Sequence, residues 1–219
     1  MSEIKVETTP LLILGAGTFA LEVADLVSDL PGYEVCGFAV SQPPYTPGAT
    51  LLDRPIYWVD DLAAFGPSCH AVCAIVSTTR WKFIERVKRF GIPFATIIHP
   101  SARVSRTARV RAGTIISAGA VISAYAEIGE HVIVNRGALI GHHVKLGHYI
   151  TISPGVNIGG SVSIGERTYV GLGAMILEQR VIGEAALIGA GALVNRDVAA
   201  HVLVTGNPAT VVTGNVDGY

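Results

Sequence analysis

Two histidines stand side by side in the segment LIGHHVKLG, at His142 and His143. An ordinary imidazole, with a pKa of about 6.5, is mostly neutral at pH 7 and can take a proton from a reacting group and hand it on. By residue type alone, however, a histidine in a polar segment is usually a solvated surface group. A second chemical feature lies near the start of the chain, where Gly15, Gly17 and Thr18 form the turn of GAGTFALE. Such a glycine turn between strand and helix offers free backbone amides to a diphosphate at the helix N-terminus. The third glycine of the dinucleotide fingerprint is missing, because position 20 is Ala20. Arg80, just after the apolar run AIVS, is a candidate phosphate contact, although an exposed helix arginine accounts for it equally simply.

These groups need elements to hold them. The first half alternates strand and helix patterns: LLILGAG is an apolar run ending in glycines, and FALEVADLVSDL has apolar residues at helical spacing. YEVCGFAV reads as a second strand, followed by a Pro-rich loop, a short strand near PIYWV and a helix start at Asp60 or Asp61. HAVCAIVS gives another buried strand, and TTRWKFIERVKRFG a helix ending at Gly91. The expectation for residues 1–100 is a small Rossmann-like α/β domain on a parallel sheet.

Beyond it the period changes. Every sixth residue from Val104 to Val194 is aliphatic, sixteen positions in one unbroken register. The residue two before is often Ala, as at Ala120 and Ala138, and the residue after is often Gly, as at Gly141 and Gly147. A hexapeptide of this kind makes one face of a triangular coil, with the aliphatic inward and the glycine easing the turn. Residues 101–219 are therefore expected to form a left-handed parallel β-helix of about five coils, its far end partly covered by the tail after Asn195.

Composition narrows the classes. Lys plus Arg number 16 and Asp plus Glu 17, a formal charge of -1, so no bulk field draws nucleic acid or an anionic membrane. Half the residues are hydrophobic and 15% charged, which suggests apolar surface buried between subunits. No stretch approaches the roughly 20 apolar residues of a spanning helix. The opening MSEIKVETTP has no apolar signal core, and Cys36, Cys69 and Cys73 lack CxxC spacing. Both fit a cytoplasmic protein without a disulfide framework or zinc site.

A βαβ domain opening on GAG, followed by uninterrupted hexapeptides containing IGHHVKLG and ending in GNPA, resembles the bacterial sugar O- and N-acetyltransferases. That family includes sialic-acid O-acetyltransferase and the N-acetyltransferases of nucleotide-linked 4-amino-sugars, and the chain looks most like the UDP-bacillosamine-pathway and GDP-perosamine enzymes. The resemblance implies a homotrimer in which the α/β domain binds the nucleotide sugar and acetyl-CoA lies along the β-helix between subunits, with no metal. It implies His142 as general base. Relatives often carry a glutamate beside that histidine, where this chain has His143. Asn135 matches a family asparagine near the substrate amine, and Thr151, Gly160, Leu172 and Ala190 fall at acetyl-CoA positions. GNPA, Gly206 to Ala209, corresponds to a tail segment beside the cofactor in which Pro208 fixes a turn.

Three other readings use the same residues. O-acetylation of a sugar, including sialic acid, would employ the same base. A non-catalytic scaffold that binds a nucleotide sugar would keep the repeat without the transfer. A γ-type carbonic anhydrase would bind zinc through three histidines. His143 and His148 have the spacing of one such pair, but Thr107 stands where the third is expected and His131 lies too close in sequence.

Overall fold

The computed structural model describes residues 8–219. The opening segment, read above for its lack of an export signal, lies mostly outside the described residues. The chain forms two compact units, one running to Ile75 and taking in Trp81–Ala95, the other combining Val76–Arg80 with Thr96–Tyr219.

In the first unit the strands are β1 (Thr9–Leu14), β2 (Tyr33–Val40), β3 (Thr50–Leu51), β4 (Arg54–Trp58) and β5 (His70–Cys73), in the order β3-β4-β2-β1-β5. Helix α1 (Thr18–Ser28) follows β1, and α2 (Trp81–Lys88) follows β5. β1 is flanked by β2 and β5, both parallel to it, so Leu11, Leu12, Ile13 and Leu14 are wholly buried. That explains an apolar run without alternation. Two elements depart from the sequence expectation. β3 and β4 form an antiparallel edge hairpin, whose two-residue turn places Leu52 and Asp53 at φ 50° and 56°. The helix expected at Asp60 or Asp61 is a 3-10 turn, Val59–Ala64, because Gly66 and Pro67 interrupt the backbone before an α-helical ladder can form. α2 runs as expected, burying Phe83, Ile84 and Val87, with Gly91 at φ 70° beyond its end. All three cysteines are free; the Cys36 and Cys69 sulfurs stand 3.8 Å apart. That hydrogen bond lowers the Cys36 thiol and, together with burial, raises that of Cys69.

In the second unit the hexapeptide register becomes three-sided coils of parallel β-helix. Strands of two residues pair with their counterparts in the adjacent coils, as Val121 does with Arg103 and Leu139. One face runs from Ile97–Ile98 to Leu187–Ile188, the next from Arg103–Val104 to Leu193–Val194, and the third from Arg109–Val110 to Val181–Ile182. The strand at Ile97 extends the inward repeat by one step before Val104. The second residue of each strand points inward: Ile122, Ile128, Val134, Ile140, Ile152 and Ile158 are all at most 1% exposed. Burying such a side chain stabilises by about 2 kcal/mol, so the stacked column accounts for much of the unit's cohesion.

The glycines after the aliphatics have a different purpose from the one their spacing suggests. The left-handed corner falls three residues after the aliphatic, at Gly119, Gly137, His143 and Tyr149 among others. Gly147, one residue after Leu146, has no positive φ; a Cβ there would lie 2.8 Å from the amide nitrogen of Glu166 in the next coil. These glycines permit close approach between coils, and the corner is turned elsewhere. Past Asn195, the strand Val202–Thr205 pairs with Leu187–Ile188 and then antiparallel with Thr210–Gly214, so the tail supplies hydrogen-bond partners to the last coil.

Candidate active site

At the C-terminal end of β1, Gly15 takes φ 118°, and a Cβ there would press on the Ala74 carbonyl and the Ile75 side chain. Gly17 caps α1 with no side-chain bond, leaving an open helix N-terminus with Thr18 exposed beside it. Gly15, Gly17 and Thr18 are thus brought together at one open helix N-terminus.

On the β-helix, His142 and His143 occupy the edge between the strands Leu139–Ile140 and Lys145–Leu146. Both are exposed. Their Nδ1 atoms stand 3.1 Å apart with ring planes at 85°. His143 sits in the left-handed corner, φ 57°, and its ring lies against that of Tyr125, in the same corner of the preceding coil, with centroids 5.0 Å apart. Gly160, at the position of His142 in the following coil, lies directly beneath the His142 imidazole: a Cβ there would come within 2.6 Å of Cε1 and Nε2. Gly160, expected to line an acetyl-CoA groove, gives room to the ring of the expected base. We therefore expect Gly160→Ala to swing the imidazole away, lowering kcat on the order of 10–100-fold. Because His142 is exposed and can yield, the melting temperature should stay within a degree or two; an unchanged kcat would show that the ring position is immaterial.

Asn135, Leu172 and Ala190 lie on the neighbouring edge, on the other side of the face that carries Leu139–Ile140. Asn135 is 5% exposed, its Oδ1 buried with no hydrogen-bond partner, while Leu172 is 57% exposed. His142 and Asn135 of one chain therefore stand on two adjacent edges.

Two expected contacts prove to be committed elsewhere. Arg80, taken as a phosphate contact or an exposed helix arginine, is 2% exposed. Its Nη1 donates to Thr151 Oγ1 at 2.7 Å and to the carbonyls of Ser77 and Val76, and its Nη2 to those of His131 and Ile150, both at 2.8 Å. Thr151, expected at acetyl-CoA, is 1% exposed and donates to the Val76 carbonyl. Arginine and threonine together bind Val76–Arg80 to the β-helix, and neither has an open group for a ligand. His131 stacks on Tyr149 with ring planes 2° apart, and His148 Nδ1 accepts from the Glu130 amide. His143 and His148 lie on different edges, with Lys145–Leu146 between them. No group of three metal-ligating side chains occurs among the described residues. Tyr125, which the sequence reading did not single out, was discoverable from its place one coil before His143.

A scan against protein-family models finds no match, and a search of curated protein sequences finds none either. Solved structures do match. The acetyltransferase domain of PglB from Neisseria gonorrhoeae, in complex with acetyl coenzyme A, is 29% identical, with a TM-score of 0.85 over 94% of this chain and all of that one. PerB from Caulobacter crescentus, in complex with CoA and GDP-perosamine, is 30% identical, with a TM-score of 0.84 over 93% of this chain and 97% of that one. The perosamine N-acetyltransferase of that organism has also been solved with one histidine replaced by asparagine or by alanine. WeeI from Acinetobacter baumannii is 25% identical, with a TM-score of 0.84 over 94% of this chain and all of that one. An α/β unit followed by a left-handed parallel β-helix, alike to these over nearly the whole of both chains, makes this chain an acyltransferase that belongs to the family of nucleotide-linked amino-sugar N-acetyltransferases.

Proposed function

We propose that the protein transfers the acetyl group of acetyl-CoA to the C4 amino group of a nucleotide-linked 4-amino-4,6-dideoxy sugar, GDP-perosamine or a UDP-linked 4-amino-sugar, with His142 as general base. The observation that carries this reading is the exposed His142 imidazole seated over Gly160 on a β-helix edge, its Nδ1 already engaged, in a chain alike to enzymes solved with CoA and GDP-perosamine. Small residues at Gly160 and Ala190 and an exposed Leu172 suit a slim pantetheine arm along the edges. When bound, acetyl-CoA supplies an activated thioester. His142 Nε2 takes the proton the sugar nitrogen sheds as the C–N bond forms, and returns it to sulfur as the C–S bond breaks, so that the products are an amide and a free thiol.

The other expected residues take their places in this reading. The open turn of Gly15, Gly17 and Thr18 holds the diphosphate of the nucleotide sugar, residues 1–100 serving as the nucleotide-sugar domain and 101–219 as the transfer domain. His142 and Asn135 stand on different edges of one β-helix, and the face between them exposes Leu139 and Met175 at 42% and 40%. A second copy covering that face buries apolar surface and sets the His142 edge of one chain beside the Asn135, Leu172 and Ala190 edge of another, which supports a homotrimer with shared sites. No described helix is long and apolar enough to cross a membrane, and we place the reaction in the cytoplasm.

Acetyl-CoA binding separates this function from that of a scaffold. At 100 times its dissociation constant acetyl-CoA stabilises by about 2.7 kcal/mol, a rise of about 5–10 °C in melting temperature for a chain of this size. No shift at saturating acetyl-CoA would favour the scaffold.

A further inference from the structure

The rings of His142 and His143 meet nitrogen to nitrogen, Nδ1 to Nδ1 at 3.1 Å. At that separation one nitrogen donates and the other accepts, since two N–H groups would repel and two lone pairs would leave no bond. The neutral pair carries two protons on four ring nitrogens. One proton occupies the bridge; the other sits on one of the two Nε2 atoms, and the remaining Nε2 is a bare base.

We propose that His143 is a positioning residue that sets the tautomer of His142 through this bridge, accepting the Nδ1 proton of His142 and so leaving His142 Nε2 free to act. The proposal rests on the acetyl-transfer reading and deepens it: a neutral imidazole stands where a carboxylate would be the simpler acceptor. The proton count closes. When His142 Nε2 takes the amine proton, the pair holds three ring protons, one on each Nε2 and one in the bridge, and the positive charge is shared by two rings. Release of the proton to sulfur as the C–S bond breaks restores the neutral pair. By the same count, a pair protonated from solvent has no bare Nε2 on either ring. One extra proton on either ring therefore removes the free base.

The surroundings favour the bridge. His143 is held by its backbone, whose amide donates to the Ala124 carbonyl at 3.0 Å, and by the Tyr125 ring on one side. His142 is held over Gly160, and its carbonyl accepts from the Ser161 amide at 2.8 Å. Along this edge the titratable groups in register within two coils are Tyr125 one coil before, Arg106 two coils before and Glu178 two coils after, while Glu127 and Lys145 open the paired strands that leave the edge. Among the described residues no carboxylate lies within one coil of the pair on its own edge, so His143 Nδ1 is the acceptor at hand.

Two readouts test the bridge. In protein labelled with 15N-histidine, long-range 1H–15N correlation spectra above neutral pH should report His142 as the Nδ1–H tautomer and His143 as the Nε2–H tautomer. His143→Phe keeps a ring against Tyr125 but removes the acceptor: His142 should revert to the tautomer mixture of a free imidazole, and kcat should fall about 10–100-fold with KM for acetyl-CoA unchanged. His143→Glu, an acceptor at every working pH, should restore kcat and move the acid limb of the kcat profile to higher pH, because a carboxylate favours the imidazolium. Finding His142 as the Nε2–H tautomer in the native protein would overturn the proposal. So would a His143→Phe variant with native tautomer, kcat and pH profile. The spectra need no turnover, so a bridged pair in a protein that transfers no acetyl group would sink the acetyl-transfer reading and leave the bridge standing.

Discussion

His142→Ala should abolish most of the acetyl transfer while leaving the protein folded and able to bind acetyl-CoA. A positioned general base contributes about 10²–10⁴ in rate, equivalent to about 3–5 kcal/mol of barrier. The loss should fall on kcat, because in the proposed reaction His142 Nε2 acts as the amine proton is shed and not when the thioester docks. The ring is exposed and fills no core position, so the melting temperature of the variant should match that of the parent. Steady-state kinetics with a thiol-detecting reagent would measure both parameters. A kcat within a few-fold of the parent would remove His142 from the chemistry, whereas a raised KM for acetyl-CoA at unchanged kcat would recast it as a binding residue.

Arg80→Met should strongly destabilise the chain while leaving the active-site edge untouched. Methionine covers a similar length of apolar contact but leaves the carbonyls of Val76, Ser77, His131 and Ile150 and the hydroxyl of Thr151 without the five donor contacts that the two Nη atoms now make. Each buried polar group stranded in this way costs about 1–3 kcal/mol, and part of the loss is recovered by no longer burying a guanidinium. A net loss of about 3 kcal/mol is expected, seen as a fall of about 6–12 °C in melting temperature. Arg80→Lys should recover only a fraction, since a single ammonium cannot span both carbonyls and the hydroxyl at once. A melting temperature within a degree or two of the parent would mean that the Val76–Arg80 segment is held by other contacts. Those are Tyr219, which receives a hydrogen bond from the Thr78 amide and donates its own amide to Thr78 Oγ1, and its ring stacked on Tyr169 at 4.3 Å.

The β-helix was legible in the sequence because its register is a one-dimensional code. Ile140 must be aliphatic since it points inward, and the same demand returns six residues later at Leu146 whatever lies elsewhere in the chain. The parallel sheet of the first unit followed in outline from apolar runs such as Leu11–Leu14. The β3–β4 hairpin did not, because its turn uses Leu52 and Asp53 at positive φ instead of the Asn-Gly or Asp-Gly pair that marks such turns. The 3-10 turn Val59–Ala64 was hidden for a related reason: the local helix start was visible, but Gly66 and Pro67 decided its length.

At the site, the sequence could name His142 and His143 but not the contact between their Nδ1 atoms, which depends on the corner conformation at residue 143. Arg80 shows the same limit more sharply. Its type and place beside a buried strand suggested an anion, whereas its surroundings are carbonyls brought together from segments 51 and 70 residues away along the chain. Gly160 and Tyr125 illustrate the opposite case: each lies a full coil from a histidine, one above and one below, so the repeat period itself predicts which residues touch the pair.

The acetyl-transfer function is tested most directly by a thiol-release assay in which the purified protein is given acetyl-CoA together with GDP-, UDP- and dTDP-linked 4-amino-4,6-dideoxy sugars, their 4-hydroxy counterparts and free sialic acid. The expected result is release of one equivalent of thiol per amine consumed with one of the amino sugars, a product acetylated on nitrogen, and no release with the matching 4-hydroxy sugar. Thiol release with sialic acid or with the hydroxy sugar, and none with any amine, would contradict it and make the protein an O-acetyltransferase.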